Sequence, residues 1–405
     1  MSRLTRRAAL ATGVGAGFSL VSGARRARAG DAVLRIGAPL PATGGLAPEG
    51  DKQKRGYDLW AETVNEAGGI EVGGARLKVE IVYADYQSNT PRAVQLAERL
   101  ITQDRCPVIF GPQGSGATKA ASSVSERYKV PMVAPTASSK EVYDQGYKYL
   151  FGTFTPNDTL TEPLADMVHA GAPQVKKIGI LARNDLFPLA IAQEMEKSAK
   201  ARGLAVTGFE KYAIGTLDHA SVLTQMADAA PEWVFVTGYL NDLILVRRQM
   251  SELQFKAPVI TMIAGPAYRE FVEALGASAE GLTSASWWHP ALRYTNCVGP
   301  WASTEAFNTA YRAKYQREPD YGEASAAACG VIVQAAAGKA GSIEPQALRD
   351  ALASLDIVTF FGHLKFGPTG QVDTLEPPVF QIQGGKPVVL RPIAVKEADF
   401  KLIPV

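Results

Sequence analysis

From Val33 onward the chain changes its hydrophobic period again and again, a short apolar run followed by ten to fifteen residues of helical spacing and then another apolar run. Parallel strands demand this pattern, because each strand must be carried back across the sheet before it can lie beside the last. Residues 33–40, 77–83, 106–110 and 130–134 read as strands, with helices over 51–66, 91–103 and 117–128. The alternation stops near residues 150–158 and starts again. Residues 177–181, 205–212, 233–237 and 258–263 read as strands, with helices over 190–202, 220–229 and 243–253. Two rounds predict an α/β fold of two doubly wound parallel-sheet lobes. In the last third, residues 301–316, 325–339 and 345–355 read as helices, followed by two hairpin-like stretches with turns at Gly367-Pro368-Thr369-Gly370 and Gly384-Gly385. No low-complexity linker separates the rounds, so the chain is expected to cross between lobes more than once.

Residues 1–29 hold six arginines (Arg3, Arg6, Arg7, Arg25, Arg26 and Arg28) and no acid, so the formal +2 of the whole chain becomes −4 without them. The basicity belongs to this leader, and no nucleic-acid partner is expected. Arg6-Arg7, an uncharged stretch from Ala8 to Val21, and Ala27-Arg28-Ala29 follow the order of an export signal. Thr5-Arg6-Arg7-Ala8-Ala9-Leu10 resembles its twin-arginine form. The stretch is too short and too rich in Gly and Ala for a transmembrane anchor, and no Cys follows the expected cut near Ala29 to carry a lipid. A periplasmic protein of residues 30–405 is expected. At 46% hydrophobic and 20% charged, the composition excludes a disordered tail and a polytopic membrane protein.

Reactive constellations are missing from the sequence. The four histidines, His169, His219, His289 and His363, are far apart, and neither HExxH, paired Cys/His ligands nor an EF-hand loop occurs, so no metal and no cofactor are expected. Residues 111–119 lack the Gly-Lys-Ser/Thr of a phosphate loop, and Ser115 lacks the GxSxG elbow of a hydrolase. The chain does not read as an enzyme. Cys106, Cys297 and Cys329 form no CxxC pair and read as small buried residues, with one disulfide left open.

Two strand-to-helix turns carry chemistry instead. Phe110-Gly111-Pro112-Gln113-Gly114-Ser115-Gly116-Ala117-Thr118 lets a ligand approach the backbone and sets Ser115 and Thr118 at a helix start. Free N–H groups and the positive end of the helix dipole there suit a carboxylate. Ala134-Pro135-Thr136-Ala137-Ser138-Ser139 again follows a strand with hydroxyls and N–H groups. Either turn alone is equally well explained by helix capping. Together, at the carboxyl ends of parallel strands, they favour a ligand site.

These residues resemble the periplasmic solute-binding proteins of the branched-chain amino acid (Leu/Ile/Val) type, across nearly the whole chain from residue 30. The resemblance rests on Ile36-Gly37-Ala38-Pro39-Leu40 with Thr43-Gly44, Gly50 and Gly56, Val64-Asn65-Glu66-Ala67-Gly68-Gly69-Ile70, Asp85, Val108-Ile109-Phe110-Gly111-Pro112 with Ser115, and Val130-Pro131 with Ala134-Pro135-Thr136-Ala137-Ser138. Tyr321 before an Ala-rich helix, and Phe361-Gly362 with Phe366-Gly367-Pro368-Thr369-Gly370, look like the family's later segments. It implies a type I periplasmic binding protein: residues 31–153 plus 288–376 as one lobe and 157–284 plus 379–405 as the other, joined by crossovers near 153–157, 284–288 and 376–379. A ligand in the cleft, delivery to the transmembrane permease of an ABC importer, and a monomer are implied as well.

Carried over residue by residue, Ser115, Thr136 and Ser138 grip the ligand carboxylate, with Gly114 and Ala137 beside them in the same turns. Phe187 closes over the ligand from the second lobe, Tyr239 or Leu240 walls it, and Tyr321 stands near the hinge. Glu49 falls where an apolar side chain walls the family's pocket, and Trp287, in Trp287-Trp288-His289, is either a pocket wall or interlobe packing. The departure is at the ligand's amine. Where the family's amino acid binders carry a carboxylate, this chain has Ile263, within Thr261-Met262-Ile263-Ala264-Gly265-Pro266. A buried ammonium facing Ile263 would lack a counter-charge. Either another acid serves, with Glu49, Asp242 and Glu323 as candidates, or the ligand is an amine-free aromatic or aliphatic acid or amide. A ligand-sensing receptor of the same fold is the remaining alternative.

Overall fold

A computed structural model describes residues 33–404, so the export-signal reading of residues 1–29 lies outside the described residues. The first half runs β1 (Val33–Leu40), α1 (Ala47–Glu66), β2 (Ile70–Val72), β3 (Ala75–Asp85), α2 (Thr90–Thr102), β4 (Val108–Phe110), α3 (Ser115–Tyr128), β5 (Met132–Ala134), α4 (Lys140–Tyr143) and β6 (Leu150–Gly152). The second runs α5 (Asp158–Gly171), β7 (Lys177–Arg183), α6 (Leu186–Ala201), β8 (Ala205–Tyr212), α7 (Ala220–Asp228), β9 (Trp233–Thr237), α8 (Leu240–Glu252), β10 (Val259–Ile263), α9 (Arg269–Leu275) and β11 (Thr283–Ala285). Then come α10 (Thr304–Tyr315), α11 (Tyr321–Ala340), α12 (Pro345–Ala353), the hairpin β12 (Asp356–Thr359) and β13 (Gly362–Lys365), and the pair β14 (Val379–Gln383) and β15 (Lys386–Arg391).

Two separate sheets result. The first has the order β2-β3-β1-β4-β5-β6 and the second β15-β14-β11-β10-β9-β7-β8. Five strands of each are parallel, in the same winding order, with β2 antiparallel at the edge of the first and β14 and β15 antiparallel at the edge of the second. The α/β reading with two parallel-dominated sheets is the observed architecture. The chain passes from the first sheet to the second after β6. It leaves β11 for α10, α11 and α12, then returns to the second sheet at β14.

Within the first sheet, strand alternation sorts the core. Val108 and Phe110 join the cluster that holds Tyr57 and Trp60 of α1, whereas Ile109 joins Leu100 of α2 and Val124 of α3. Tyr57 stacks on Phe110 with ring centroids 4.2 Å apart.

Several elements differ from the sequence expectation. Helix α1 begins at Ala47 rather than residue 51, so Glu49 lies inside its first turn. Strands β6 and β11 span three residues each, too short to leave a periodic signal. Helix α5 went unread because Pro163 stands in its second turn, where it removes an N–H donor. The first late hairpin turns at Phe360-Phe361, not at residues 367–370. The latter do form a tight turn, with a single antiparallel bridge between Phe366 and Val372. The turn at Gly384-Gly385 joins β14 and β15 as expected. All three cysteines are free thiols, Cys106 and Cys329 buried and Cys297 half-buried.

Helix α11 is apolar all round because it is enclosed: α1 crosses it so closely that only small residues fit. A Cβ on Gly56 would overlap the Glu323 carbonyl, and one on Gly330 would overlap the indole of Trp60, which is fully buried. Gly330→Ala should therefore overpack the crossing. We expect a loss of about 1–3 kcal/mol in urea unfolding, after any gain in helix propensity, with the slope of the transition unchanged.

Candidate functional site

Both sheets reverse winding direction between their first and third parallel strands, at β1/β4 and at β7/β9. Open α/β sheets take ligands in the crevice at the carboxyl ends of strands at such a point. In the first sheet the helices that follow are α1, with Glu49 in its first turn, and α3, whose first residue is Ser115. In the second they are α6, with Phe187 second, and α8, with Leu240 first. The two crevices face each other. The Leu240 N–H donates to Glu49 Oε1 at 3.0 Å. Gly114, at φ +81°, lies so close to Tyr239 that a Cβ would stand 2.8 Å from the phenol oxygen.

The two turns of the first sheet form one polar unit. Ser115 Oγ accepts the N–H groups of Ser138 and Ser139, each at 3.3 Å. Thr136 Oγ1 accepts the Gly114 N–H at 3.1 Å and donates to Gln113 Oε1 at 2.9 Å. Gln53 of α1 ties the unit to Glu49, one helical turn away, by donating from Nε2 to Gln113 Oε1 and Thr136 Oγ1 at 2.7 and 3.1 Å. Ser115, Thr136, Ser138, Gly114 and Ala137 thus come together. Two details differ from expectation. Thr118 turns its hydroxyl back to the Pro112 carbonyl, at 2.9 Å. The second turn leads only into α4, a single helical turn, so it offers hydroxyls rather than a helix dipole.

Aromatic rings border this unit. The Phe187 centroid lies 6.1 Å from Tyr239 and 6.0 Å from Trp287, which is 5.9 Å from Tyr321. Trp287 also stacks on Phe154 at 4.0 Å and donates from Nε1 to the Thr155 carbonyl at 3.0 Å, so it staples the stretch after β11 to the stretch after β6. Ile263 is not part of this group: it ends β10 opposite Thr237 and is fully buried in the core. The turn after it, with Ala264 at φ +83°, delivers Tyr268, whose ring stacks on Tyr321 at 5.1 Å and whose hydroxyl donates to that of Tyr321 at 2.6 Å. A pocket of about 470 Å³ adjoins this tyrosine pair, bounded also by Val272, Trp288, Arg317 and Pro387.

Of the three acids considered for an amine, two are engaged. Asp242 accepts Arg183 Nη1 at 2.7 Å and the Tyr239 N–H at 3.2 Å. Glu323 is held by Arg55 at 2.9 Å, the Tyr311 hydroxyl at 2.6 Å and the Asp320 N–H at 2.7 Å. Burial raises the Glu323 carboxyl, but Lys52, Arg55 and Tyr311 outweigh it and hold the group below its ordinary value. Glu49 is 3% exposed, has no cationic partner among the described residues, and its Oε2 is buried without a hydrogen bond. Burial pushes its pKa up, against the Leu240 N–H and nearby Lys52.

Among the other buried side-chain atoms without a partner, Gln53 Oε1, Ser138 Oγ and Ser139 Oγ belong to this same polar unit. Buried polar atoms are paired in the great majority of cases, so four unpaired ones gathered at the facing crevices stand out. None of the four lines the pocket beside the tyrosine pair. Sequence reasoning missed Gln53, Phe154 and Tyr268, and quoted Ser139 only as part of its turn. Gln53 follows Glu49 at i+4 on one helix face, and Tyr268 follows Gly265-Pro266 at a strand end, signals that were available.

An ion-pair latch spans the opening. Lys52 Nζ lies 2.7 Å from Asp320 and 2.7 Å from Glu270 of α9, and Arg317 Nη1 lies 2.7 Å from Glu270. Burial opposes the Glu270 charge, but Lys52 and Arg317 outweigh it and hold the carboxyl at about 2 against an ordinary 4.5.

Comparison with known proteins matches residues 33–386 to the family model described as periplasmic binding protein. The Leu/Ile/Val-binding protein homolog 8 of Brucella suis biovar 1 (strain 1330) is 30% identical over 409 residues, covering 97% of this chain and 98% of that one. Among solved structures, the branched-chain amino acid transporter substrate binding protein LivJ of Streptococcus pneumoniae, in complex with isoleucine, superposes with a TM-score of 0.77. It is 26% identical, over 89% of this chain and 100% of that one. A solute binding protein of an ABC transporter from R. palustris, in complex with benzoate, has a TM-score of 0.77 at 21% identity, over 88% of this chain and 95% of that one.

The latch has a pH signature. A carboxyl with a depressed pKa stabilises the folded state fully above its unfolded value and loses that contribution as pH falls through its folded value. Glu270→Gln should melt below wild type at pH 7, and the gap should close between about pH 4.5 and about pH 2. A gap in melting temperature that stays constant through that window would show that Glu270 is not held this way.

Proposed function

Because the chain belongs to the periplasmic binding protein family, we propose that it is the exported solute-binding component of an ABC importer, taking a small carboxylate, an amino acid first, between its two sheets and delivering it to the permease. The observation that carries this reading is the set of orphaned polar atoms where the two winding-reversal points meet. Ser115, Ser138 and Ser139, with the first-turn N–H groups of α3, hold the carboxylate. Phe187, Tyr239, Trp287 and Tyr321 cover the rest of the ligand. The stretches 153–157, 284–288 and 376–379 serve as the hinge, with residues 31–153 plus 288–376 as one lobe and 157–284 plus 379–405 as the other. Closure buries a ligand that has docked on the first lobe, and the protein works as a monomer. Hydroxyls, amides and aromatic faces bind and orient; the reading assigns no bond-breaking step to them.

A second reading is favoured by one observation. The turn after β10 carries no acid and brings Tyr268 instead, which suits an amine-free aromatic acid such as the benzoate of the R. palustris neighbour.

A thermal-shift screen separates the two readings, with proteinogenic amino acids set against amine-free aromatic and aliphatic acids and amides. A ligand at 100-fold excess over Kd stabilises by about 2.7 kcal/mol. The acid giving the largest shift then tests the carboxylate grip. Ser138→Ala should weaken its binding by about 1–3 kcal/mol in calorimetry. Because the Ser138 hydroxyl has no partner within the protein, the unliganded melting temperature should hold. Ser115→Ala should weaken binding and also lower the unliganded melting temperature, since it strips an acceptor from two buried N–H groups. Unchanged affinity in both variants would refute the grip.

A further inference from the structure

The four orphaned atoms are not alike. Gln53 Oε1 and Glu49 Oε2 only accept hydrogen bonds, whereas the Ser138 and Ser139 hydroxyls are free to donate. The orientation of the Gln53 amide is set by its neighbours, because Nε2 lies between two oxygens, Gln113 Oε1 and Thr136 Oγ1. The acceptors share one face of α1 and the donors share one turn after β5. A ligand matching both carries acceptors at one end and N–H donors at the other.

We propose, resting on the solute-binding reading above, that Glu49 supplies the counter-charge for the ligand's ammonium group, with Gln53 Oε1 as second acceptor, so that this site selects zwitterionic α-amino acids over their amine-free counterparts. The acid is relocated from the second half, where Ile263 and the turn after it offer none, to the first turn of α1. Its neighbours leave it free for this. Lys52, one turn along, is committed to Asp320 and Glu270, and Arg183 is committed to Asp242. Oε1 is fixed by the Leu240 N–H, which aims the carboxylate and leaves Oε2 open. Tyr86, Tyr239, Tyr268 and Tyr321 are all buried near enough to feel it, each hydroxyl raised by burial first and further by the charge of Glu49.

The test is calorimetry on the purified protein with matched probes: L-leucine against 4-methylpentanoic acid, and L-phenylalanine against 3-phenylpropanoic acid. The wild type should bind the amine-bearing member of at least one pair roughly 10- to 150-fold more tightly, the range for a hydrogen bond to a charged group. Glu49→Gln keeps an acceptor for Leu240 and removes the charge. It should lose most of that factor on the amino acid and change the amine-free acid by less than about threefold. An E49Q protein that binds the amino acid as wild type does would overturn the proposal, and so would a wild type that prefers the amine-free members. In either case the carboxylate reading survives. Wild type binding no probe of either kind would sink both readings. If E49Q fails to fold, as its unliganded melting would reveal, the wild-type preference within each pair still decides.

Discussion

A parallel strand cannot pair with its neighbour until the chain has crossed the sheet, and each crossing helix begins at the carboxyl edge of the strands. The site depends on that constraint. It collects helix starts along one edge, and a reversal of winding parts two of them into a crevice. Here the same order occurs twice, and the two reversals confront each other. The first sheet contributes the first turns of α1 and α3, and the second contributes those of α6 and α8. Hydroxyls, a carboxylate and unpaired N–H groups meet there because helix starts are where a backbone leaves donors unsatisfied. No local motif could have assembled them.

The contacts across the opening divide into two kinds. Lys52, Glu270, Arg317 and Asp320 pair with one another at 2.7 Å, so opposite charges meet inside the protein, although Arg317 keeps Nε and one Nη without a partner. Tyr268 and Tyr321 do the same with their hydroxyls. These groups hold the two halves together without asking anything of a ligand. The group at Glu49, Gln53, Ser138 and Ser139 is different in that neither Glu49 nor Gln53 has a cationic partner among the described residues, and each of the four residues keeps one polar atom unsatisfied. Leaving such atoms buried costs free energy, on the order of 1–3 kcal/mol for each group. A bound molecule with matching chemistry removes that cost.

The sheets were legible because their strands and helices are periodic, and the two polar turns of the first sheet because Gly, Ser and Thr cluster at strand ends. What stayed hidden was either short or tertiary. Three-residue strands such as β6 and β11 leave no period, and Pro163 disguises α5. Trp287 could be read equally as wall or packing; the structure shows its packing, stacked on Phe154 and tilted against Phe187 and Tyr321, which the sequence alone does not specify. Glu49 reads locally as a surface acid on a helix start. Only the arrival of α8, two hundred residues later in the chain, buries it, and no local pattern carries that information.

The position of that acid also bears on how closure couples to binding. Glu49 lies on the same half as the carboxylate turns, so both ends of a zwitterion can be held before the second half arrives. In the proposed binding cycle the second half then adds the Leu240 N–H, Phe187, Tyr239 and Tyr268, which would cover the ligand and shut out water. Closing over Glu49 strips its carboxylate of water, and one N–H is a poor replacement for that hydration. An ammonium in place supplies the missing charge, so closure is favoured when the right ligand is present and resisted when the site is empty or holds an acid without an amine. A ligand shifts such an equilibrium only through contacts that differ between its two states. A carboxylate that is wet when the halves are apart and buried when they meet provides that difference.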